Sequence, residues 1–428
     1  DEDILNLSDP PYYTACPNPW IADFIAEWEA QKPEQPEGYH YHREPFAADV
    51  SEGKTHAVYR AHSYHTKVPH LAIVPSILHY TKPGDIVLDA FNGSGMTGVA
   101  AQWCGTAPNE YRAELEQKWK TEGHVSPQWG LRHCVLNDLS PAATFMAANY
   151  NLPFDVNTFS KAAKKLLKDV GKEIGWMYET LHTDGKTKGR IEYTVWSEVF
   201  TCPDCAGEVV FLDEALDEES KRVKDSFSCP HCQAEVSKRS LQKAYSTEFD
   251  PIANETHQVP KRRPSLICYK IGKTRYEKKP DLADLEVLQK ISQMDLPPEL
   301  PKAALPYMHM THERARMDRS GVTHIHHFFL PRAAQALGHL WRKAMAQPDF
   351  RVRNMLLFFL DQSIWGFTIL NRYSPSHFSQ VNRQMNGVYY VPSQTSECSP
   401  WYNLEGKANR LPKAFQSAYA RANGVITG

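Results

Sequence analysis

The stretch Val87-Leu88-Asp89-Ala90-Phe91-Asn92-Gly93-Ser94-Gly95-Met96-Thr97-Gly98 restricts this chain to few folds. An aliphatic run that closes on an acid, followed by two glycines one residue apart and then small residues, reads as a strand turning sharply into a helix. Such a turn brings backbone amides to the carboxyl edge of a parallel strand, where α/β folds hold nucleotide-like ligands. A Gly-x-Gly pair alone is weak, because many purely structural turns contain it. Asp89 at the strand end and a second acidic strand end, Asn137-Asp138, strengthen the reading, since a carboxylate there can take both hydroxyls of a ribose. The interval from Gly95 to Asp138 is longer than the roughly 20 residues of a dinucleotide unit. A polar stretch from Pro108 to Gln128, read as an interruption, accounts for the excess.

The flanking pattern extends this unit. Ile73 to Tyr80 has helical spacing, Lys82-Pro83-Gly84-Asp85 is a turn, Ile86 to Asp89 reads as a buried strand, and a helix continues from Gly98 to Trp103. His133 to Leu136 then reads as a second strand and Pro141 to Tyr150 as a second helix, the beginning of a βαβα succession. A basic amphipathic helix is expected over Phe154 to Val170. Residues 250–320 read mostly as loops with one helix near Leu282 to Met294. Beyond them a strand is expected over Thr323 to Leu330, a helix from Pro331 to Ala346 and another over Asn354 to Asn371. Strands or a hairpin are expected in Ser374 to Tyr402, including Gly387 to Val391. The first 60 residues are rich in Pro, Tyr and His and read as an irregular arm with one helix around Trp20 to Ala30.

With 428 residues and 42% hydrophobic content, the chain has room for two or three domains. No run approaches 18 apolar residues and no basic-then-apolar leader opens the chain, so no membrane partner and a cytoplasmic setting are expected. A first residue Asp1 and a tail that reads as the start of something lead to the expectation that the natural protein extends past both ends. Lys and Arg number 48 against 50 for Asp and Glu, so the net charge of -2 provides no global attraction to phosphate. Any nucleic-acid surface is then a local patch. Lys261-Arg262-Arg263 and the set Lys270, Lys273, Arg275, Lys278 and Lys279 suit either such a patch or a solvated charged face. Arg314, Arg316, Arg319 and Arg332 suit phosphate contacts or salt bridges equally. His309, His312, His324, His326 and His327 invite a metal reading. Strand alternation, however, sends His324 and His326 to one face and His327 to the other, which favours hydrogen-bonded histidines.

The nine cysteines include the repeated knuckles Cys202-Pro203-Asp204-Cys205 and Cys229-Pro230-His231-Cys232. This is the spacing of a four-cysteine zinc ribbon. Four thiolates complete a tetrahedral shell and leave no position for water, so the zinc expected there is structural. Contact between this ribbon and DNA is open, with Lys221, Arg222, Lys224, Lys238 and Arg239 as the available cations. Cys16, Cys104, Cys134, Cys268 and Cys398 lack such pairing and are expected to be buried thiols.

Gly84-Asp85-x-Val87-Leu88-Asp89-x-Phe91-x-Gly93-Ser94-Gly95-Met96-Thr97 resembles the motif of DNA amino-methyltransferases that binds S-adenosylmethionine. His70-x4-Pro75 resembles the segment that such enzymes place just before it. The resemblance implies cofactor contacts from Asp89, Phe91, Asn92, Gly93, Gly95 and Asp138, with Thr97, His70 and Pro75 as neighbours. Asp9-Pro10-Pro11-Tyr12 matches the family's second signature, a tetrapeptide that composition alone produces in about one chain in a hundred of this length. Its chemistry suits an exocyclic amine, which is a poor nucleophile while conjugated to its ring. A carboxylate and a proline carbonyl can accept its two N–H bonds, and the aromatic residue can stack on an extruded base, with Tyr13, Trp20, Tyr39 and Tyr41 available for help or for packing.

One departure bears on the acceptor site. The 57 residues from Tyr13 to Pro69 are too few and too irregular to hold the strands that follow this signature in the family. Long methylases of restriction and phage-defence systems resemble this chain in the arm that begins at Asp9. The resemblance places a further Asp-Pro-Pro-aromatic motif beyond residue 428, so Asp9, Pro10, Pro11 and Tyr12 are either the catalytic motif or an accessory copy. The expected architecture is α/β, a Rossmann-like methyltransferase core with an inserted zinc ribbon and irregular accessory segments. Residues 1–60 form the arm, 61–195 the first part of the core, 196–245 the ribbon, 246–320 a linker or DNA-recognition segment, and 321–428 the remaining core and recognition region. The expected function is methylation of a base amine in double-stranded DNA with base flipping, adenine N6 first and cytosine N4 second, with other defence-system subunits as further partners. A non-catalytic recognition subunit that binds donor and DNA, and an RNA methyltransferase, are the other readings.

Overall fold

The structure, a computed structural model, describes residues 26–27, 30, 34, 36–40, 42–47, 49–217, 219–220, 222–309, 311, 317–375 and 390–419. The chain divides into two units, Asp1–Ala47 and Ala48–Gly428. In the first, residues 26, 27 and 30 are helical, and a turn at Glu37 and Gly38 is closed by the Tyr39 N–H donating to the Pro36 carbonyl. All elements labelled below belong to the second unit.

Helix α1 (His70–Tyr80) leads into strand β1 (Ile86–Asp89), helix α2 (Met96–Thr106), helix α3 (Asn109–Glu122), strand β2 (His133–Leu136) and helix α4 (Pro141–Asn151). Strands β1 and β2 pair in parallel from Ile86↔His133 to Asp89↔Leu136. The polar stretch after Pro108 is a helix rather than an interruption: it buries Leu115 and Trp119 four residues apart and ends on Gly123 in the left-handed region. The two strands alternate. Val87, Asp89, Cys134 and Leu136 turn inward, Leu136 against Gly98 of α2, whereas Ile86, Leu88 and Val135 are 70%, 69% and 52% exposed. The strand expected to be buried is thus covered on one face only among the described residues, although parallel pairs ordinarily carry helices on both.

Helix α5 (Val156–Ile174) starts at Asp155, whose carboxylate accepts the Thr158 N–H at 2.8 Å. It buries Phe159, Ala163, Leu166, Leu167, Val170 and Ile174, the stripe that helical spacing requires. After β3 (Glu179–Leu181), the 14-residue strand β4 (Lys188–Thr201) is the spine of an antiparallel sheet. It pairs with β11 (Arg262–Ile271) on one side and β13 (Gln394–Cys398) on the other, and β12 (Thr274–Lys278) extends the β11 edge. Strands β9 (Tyr245–Asp250) and β10 (Glu255–Pro260) form a separate hairpin.

Residues 250–320, read mostly as loops, supply strands β10, β11 and β12 beside the expected helix, here α7 (Leu282–Ser292), because β11 finds its long partner, β4, only across the fold. Three of their basic residues are paired: Lys270 and Arg275 flank buried Glu192, and Lys278 bridges Asp281 and Asp284. Thr323 to Leu330 holds a 3-10 turn, Ile325–Phe328, in place of the expected strand. Helices α8 (Pro331–Met345), α9 (Phe350–Phe367) and α10 (Pro400–Tyr419) complete the unit. Helix α10 begins at the end of the stretch Ser374 to Tyr402 read as strands or a hairpin, and of that stretch Gly387, Val388 and Tyr389 lie outside the described residues.

The helices are tied to the sheet by Arg332 of α8. It is 3% exposed, with Nη2 donating to Glu397 Oε2 at 2.6 Å and to Thr194 Oγ1 at 2.7 Å, and Nη1 donating to the Met177 carbonyl at 3.3 Å. Trp196 Nε1 donates to the same Glu397 oxygen at 2.9 Å. Burial works against the guanidinium charge, yet the adjoining carboxylate outweighs it and holds the Arg332 pKa above its ordinary value. Arg332 is accordingly a structural residue, not a phosphate contact. Removing one partner of such a buried pair leaves an uncompensated charge, so Glu397→Leu is expected to lower unfolding stability by about 3–5 kcal/mol in urea titration. The double variant Arg332→Leu/Glu397→Leu is expected to recover much of that loss.

Candidate donor site and cysteine cluster

Strand β1 ends at Asp89, whose carboxylate accepts the Phe91 N–H at 3.2 Å and the Thr97 hydroxyl at 2.5 Å. Asp138, just after β2, accepts the Gly93 N–H at 2.9 Å and the Ser140 N–H at 2.9 Å. Both acids thus clamp the glycine turn from opposite ends. Gly95 has φ 80° and caps α2, and a Cβ there would lie 2.7 Å from the Ala147 backbone, so only glycine fits. Gly93, at φ 54°, lets the Tyr64 ring approach to where a Cβ would stand 2.9 Å away.

The turn opens on a cavity of about 200 Å³ lined by Tyr64, Lys67, Ile73, Asp89, Phe91 and Asn92, together with Gly93, Ser94 and Thr97. The Asn92 amide and the Ser94 hydroxyl are buried in this wall, and neither has a hydrogen-bond partner. Orphaned buried polar groups are costly, and a donor molecule with amine, carboxylate and hydroxyl groups satisfies them. S-adenosylmethionine fits on that ground. Phe91, 76% exposed, presents a bare ring at the mouth.

Of the expected cofactor residues, Asp89, Phe91, Asn92, Gly93 and Thr97 line the cavity, while Gly95 and Asp138 shape it from behind. His70 and Pro75 do not line it. His70 is fully buried with its ring 4.6 Å from His56 and 4.9 Å from Trp103, and burial pushes its pKa down to about 3. Pro75 lies inside α1. Ile73, between them, does line the cavity, together with Tyr64, Thr66, Lys67 and Val68 of the preceding loop. The signal for them was Pro69, which precedes α1 and marks an ordered loop entering the helix. Lys67 holds this loop by donating to the carbonyls of Tyr59 and His62, and burial lowers its pKa to about 8. Asp9, Pro10, Pro11, Tyr12, Tyr13, Trp20 and Tyr41 lie outside the described residues, as do Arg314 and Arg316; Tyr39 is 54% exposed.

The cysteine cluster lies at the far end of β4, where β5 (Glu208–Val210), helix α6 (Phe211–Ala215), β6 (Ser226–Ser228), β7 (Glu235–Ser237) and β8 (Gln242–Lys243) fold around Phe200, Phe211, Phe227 and Val236. Ala206 and Gln233, each directly after the second cysteine of its knuckle, take left-handed φ of 58° and 63°, so the two knuckles are backbone copies. Cys202 and Cys232 sulfurs are 3.9 Å apart, and those of Cys205 and Cys229 are 3.8 Å apart. A tetrahedron with Zn–S of about 2.3 Å has an edge of about 3.8 Å, so the donor set fits zinc. The Cys232 and His231 N–H groups pull the Cys229 thiol down to about 6, toward the thiolate a metal needs.

His326 and His327 offer their Nε2 atoms to Asp250 Oδ2, each at 2.9 Å, a second set of three grouped ligand atoms. The N–H groups of Thr323 and His324 point at His327 Nδ1, at 3.2 and 3.3 Å. That nitrogen therefore keeps its lone pair and the ring proton sits on Nε2, donated to Asp250, which suits a hydrogen-bonded knot better than a metal. Cys104, Cys268 and Cys398 are buried thiols, and Cys134 is half-buried.

A glycine turn at a parallel strand end, walled by orphaned polar groups, is the arrangement in which α/β folds hold small polar ligands. Residues 16–106, less than half of the chain, match the family model described as DNA methylase. The match contains the donor turn, begins after Tyr12 and ends before Asp138. No curated protein and no solved structure matches the chain.

Two outcomes follow. Zinc content measured by mass spectrometry is expected to be one per chain and to fall toward zero in Cys229→Ser, with new protease cleavage confined to residues 202–243. For pH, His70, His326 and His327 have folded pKa values below 6.5, about 3 for His70 and about 4 for His327. Each favours the neutral ring, so its stabilisation is complete above pH 6.5 and lost as pH falls through the folded values. Urea midpoints are expected to decline from pH 6.5 to 4, and His70→Phe is expected to flatten that slope.

Proposed function

We propose that this chain is an S-adenosylmethionine-dependent DNA methyltransferase acting on an exocyclic base amine, adenine N6 ahead of cytosine N4. The observation that carries this reading is the glycine-turn cavity with its unpartnered Asn92 and Ser94, lying inside the segment that matches a DNA methylase. Asn92 and Ser94 supply polar contacts to the donor, Phe91 and Ile73 apolar ones, and Asp89 and Asp138 hold the turn that presents them. When bound, the donor supplies a methyl group already activated by its sulfonium charge, so alignment with the amine suffices.

Asp9 and the Pro10 carbonyl are assigned to accept the two amine N–H bonds and Tyr12 to stack on a base extruded from the duplex, on the strength of the tetrapeptide alone. Cys202, Cys205, Cys229 and Cys232 hold a structural zinc. The α/β core is read as Rossmann-like. The restriction or phage-defence setting, the cytoplasmic location and any further subunits rest on resemblance. Among the described residues, no helix is long and apolar enough to cross a membrane.

The test is transfer of labelled methyl from S-adenosylmethionine to double-stranded DNA, compared with Asn92→Leu and Asp9→Ala. Asn92→Leu is expected to weaken donor binding at least tenfold in calorimetry, through the unmade polar contacts. Asp9→Ala is expected to keep donor binding and lose transfer. Label in both the parent and Asp9→Ala removes Asp9 from catalysis, and donor binding without label in any protein sinks the enzyme reading.

A further inference from the structure

Beside the donor cavity is a larger one, about 580 Å³, bounded by Tyr59, Arg60, His62, Tyr64, Lys67 and Arg410. Tyr64 and Lys67 belong to both walls, so a single side-chain layer separates the two spaces. We infer that this second cavity takes a phosphodiester of the target DNA strand, a role that rests on the methyltransferase reading above.

Its charge is the first reason. Arg60 and Arg410 are exposed, both line this cavity, and neither forms an ion pair among the described residues. No acid is among the lining residues, and Asp361, outside the lining, has its carboxylate 2.9 Å from His62 Nε2. Half-buried Lys407, which donates to the Gln362 carbonyl at 2.7 Å, adds a further positive charge near Asp361 and Arg410. Two unneutralised guanidinium groups facing one concave surface suit a phosphate, whose oxygens accept the paired N–H bonds of such a fork.

Rigidity is the second reason. The segment that carries Arg60 is held at several points: Lys67 donates to the Tyr59 and His62 carbonyls, Tyr59 Oη donates to the Lys67 carbonyl at 3.2 Å, and the Lys67 ammonium lies 4.6 Å from the centre of the Tyr59 ring. The same segment sets Tyr64 against Gly93. A nucleotide whose base is presented at the donor turn therefore has its backbone within reach of two preplaced cations. The volume lies in the ordinary range for ligand cavities. A carboxylate has the same chemistry as a phosphate here, and the donor carries one, so the test must separate the two sources.

Arg60→Ala, Arg410→Ala and the double variant replace exposed side chains and are expected to fold normally. Binding of a fluorescent DNA duplex is measured by anisotropy over a salt series, and S-adenosylmethionine binding by calorimetry. The double variant is expected to weaken DNA binding about tenfold or more near 0.1 M salt and to reduce the slope of log Kd against log salt by about one, the value for one lost phosphate contact. Donor affinity is expected to stay within twofold, and Arg60→Lys to recover part of the salt slope. An unchanged DNA affinity and slope overturns the assignment while leaving the methyltransferase reading in place. Loss of donor binding with DNA binding intact overturns it in favour of the donor's carboxylate. A parent protein that binds donor but no DNA overturns both.

Discussion

Arg332 and Glu397 form the contact on which the described architecture depends. Neither charge is exposed, and each is worth burying only because the other is present with Thr194, Trp196 and the Met177 carbonyl completing its hydrogen bonds. The five groups come from α8, β13, β4 and the turn after α5. Their meeting point sets the register in which Glu397 stands opposite Thr194, and with it the position of the whole β13 strand. The far end of β4 then carries the cysteine cluster outward, so one strand links the helical layer to the cluster.

The donor turn follows the same logic on a smaller scale. Asp89 and Asp138 are 49 residues apart, yet both are occupied with holding backbone N–H groups and a hydroxyl of one short loop. Because the acids do that work, Asn92 and Ser94 are left with unpartnered polar groups facing the cavity. The loop from Tyr59 to Lys67 closes the site from the other side and gives the two cavities a common wall. Donor binding and the proposed strand contact thus share one rigid element.

Much of the donor site was legible because its signal is local. Strand, acid, glycine pair and helix are adjacent, and the left-handed φ of Gly93 and Gly95 is demanded by the turn itself. The cysteine cluster was legible for the same reason, since each knuckle needs only four residues and a tight turn. His70 and Pro75 were placed by the resemblance; aromatic packing holds His70 inside, and Ile73 of the same segment faces the cavity, which a linear motif does not reveal. Arg332 and the basic residues of β11 and β12 look on paper like phosphate contacts, yet their partners, Glu397 and Glu192, lie 65 and about 80 residues away in sequence. Strands 262–271 and 274–278 were hidden similarly, because β-structure is stabilised by cross-strand neighbours that periodicity along one segment does not reveal.

By itself the sequence determined what nearest neighbours dictate: the glycine turn with its acids, the two zinc-spaced knuckles, the helices that start near Phe154 and at Pro331, and the Asp9-Pro10-Pro11-Tyr12 signature. Tertiary structure alone decided which charges are paired and which are free. Arginines of one chemistry became a buried tie at position 332 and open cations at positions 60 and 410. The physical reason is that a charge's role is set by the groups within a few ångströms of it, and in a chain of this length those groups come mostly from distant segments.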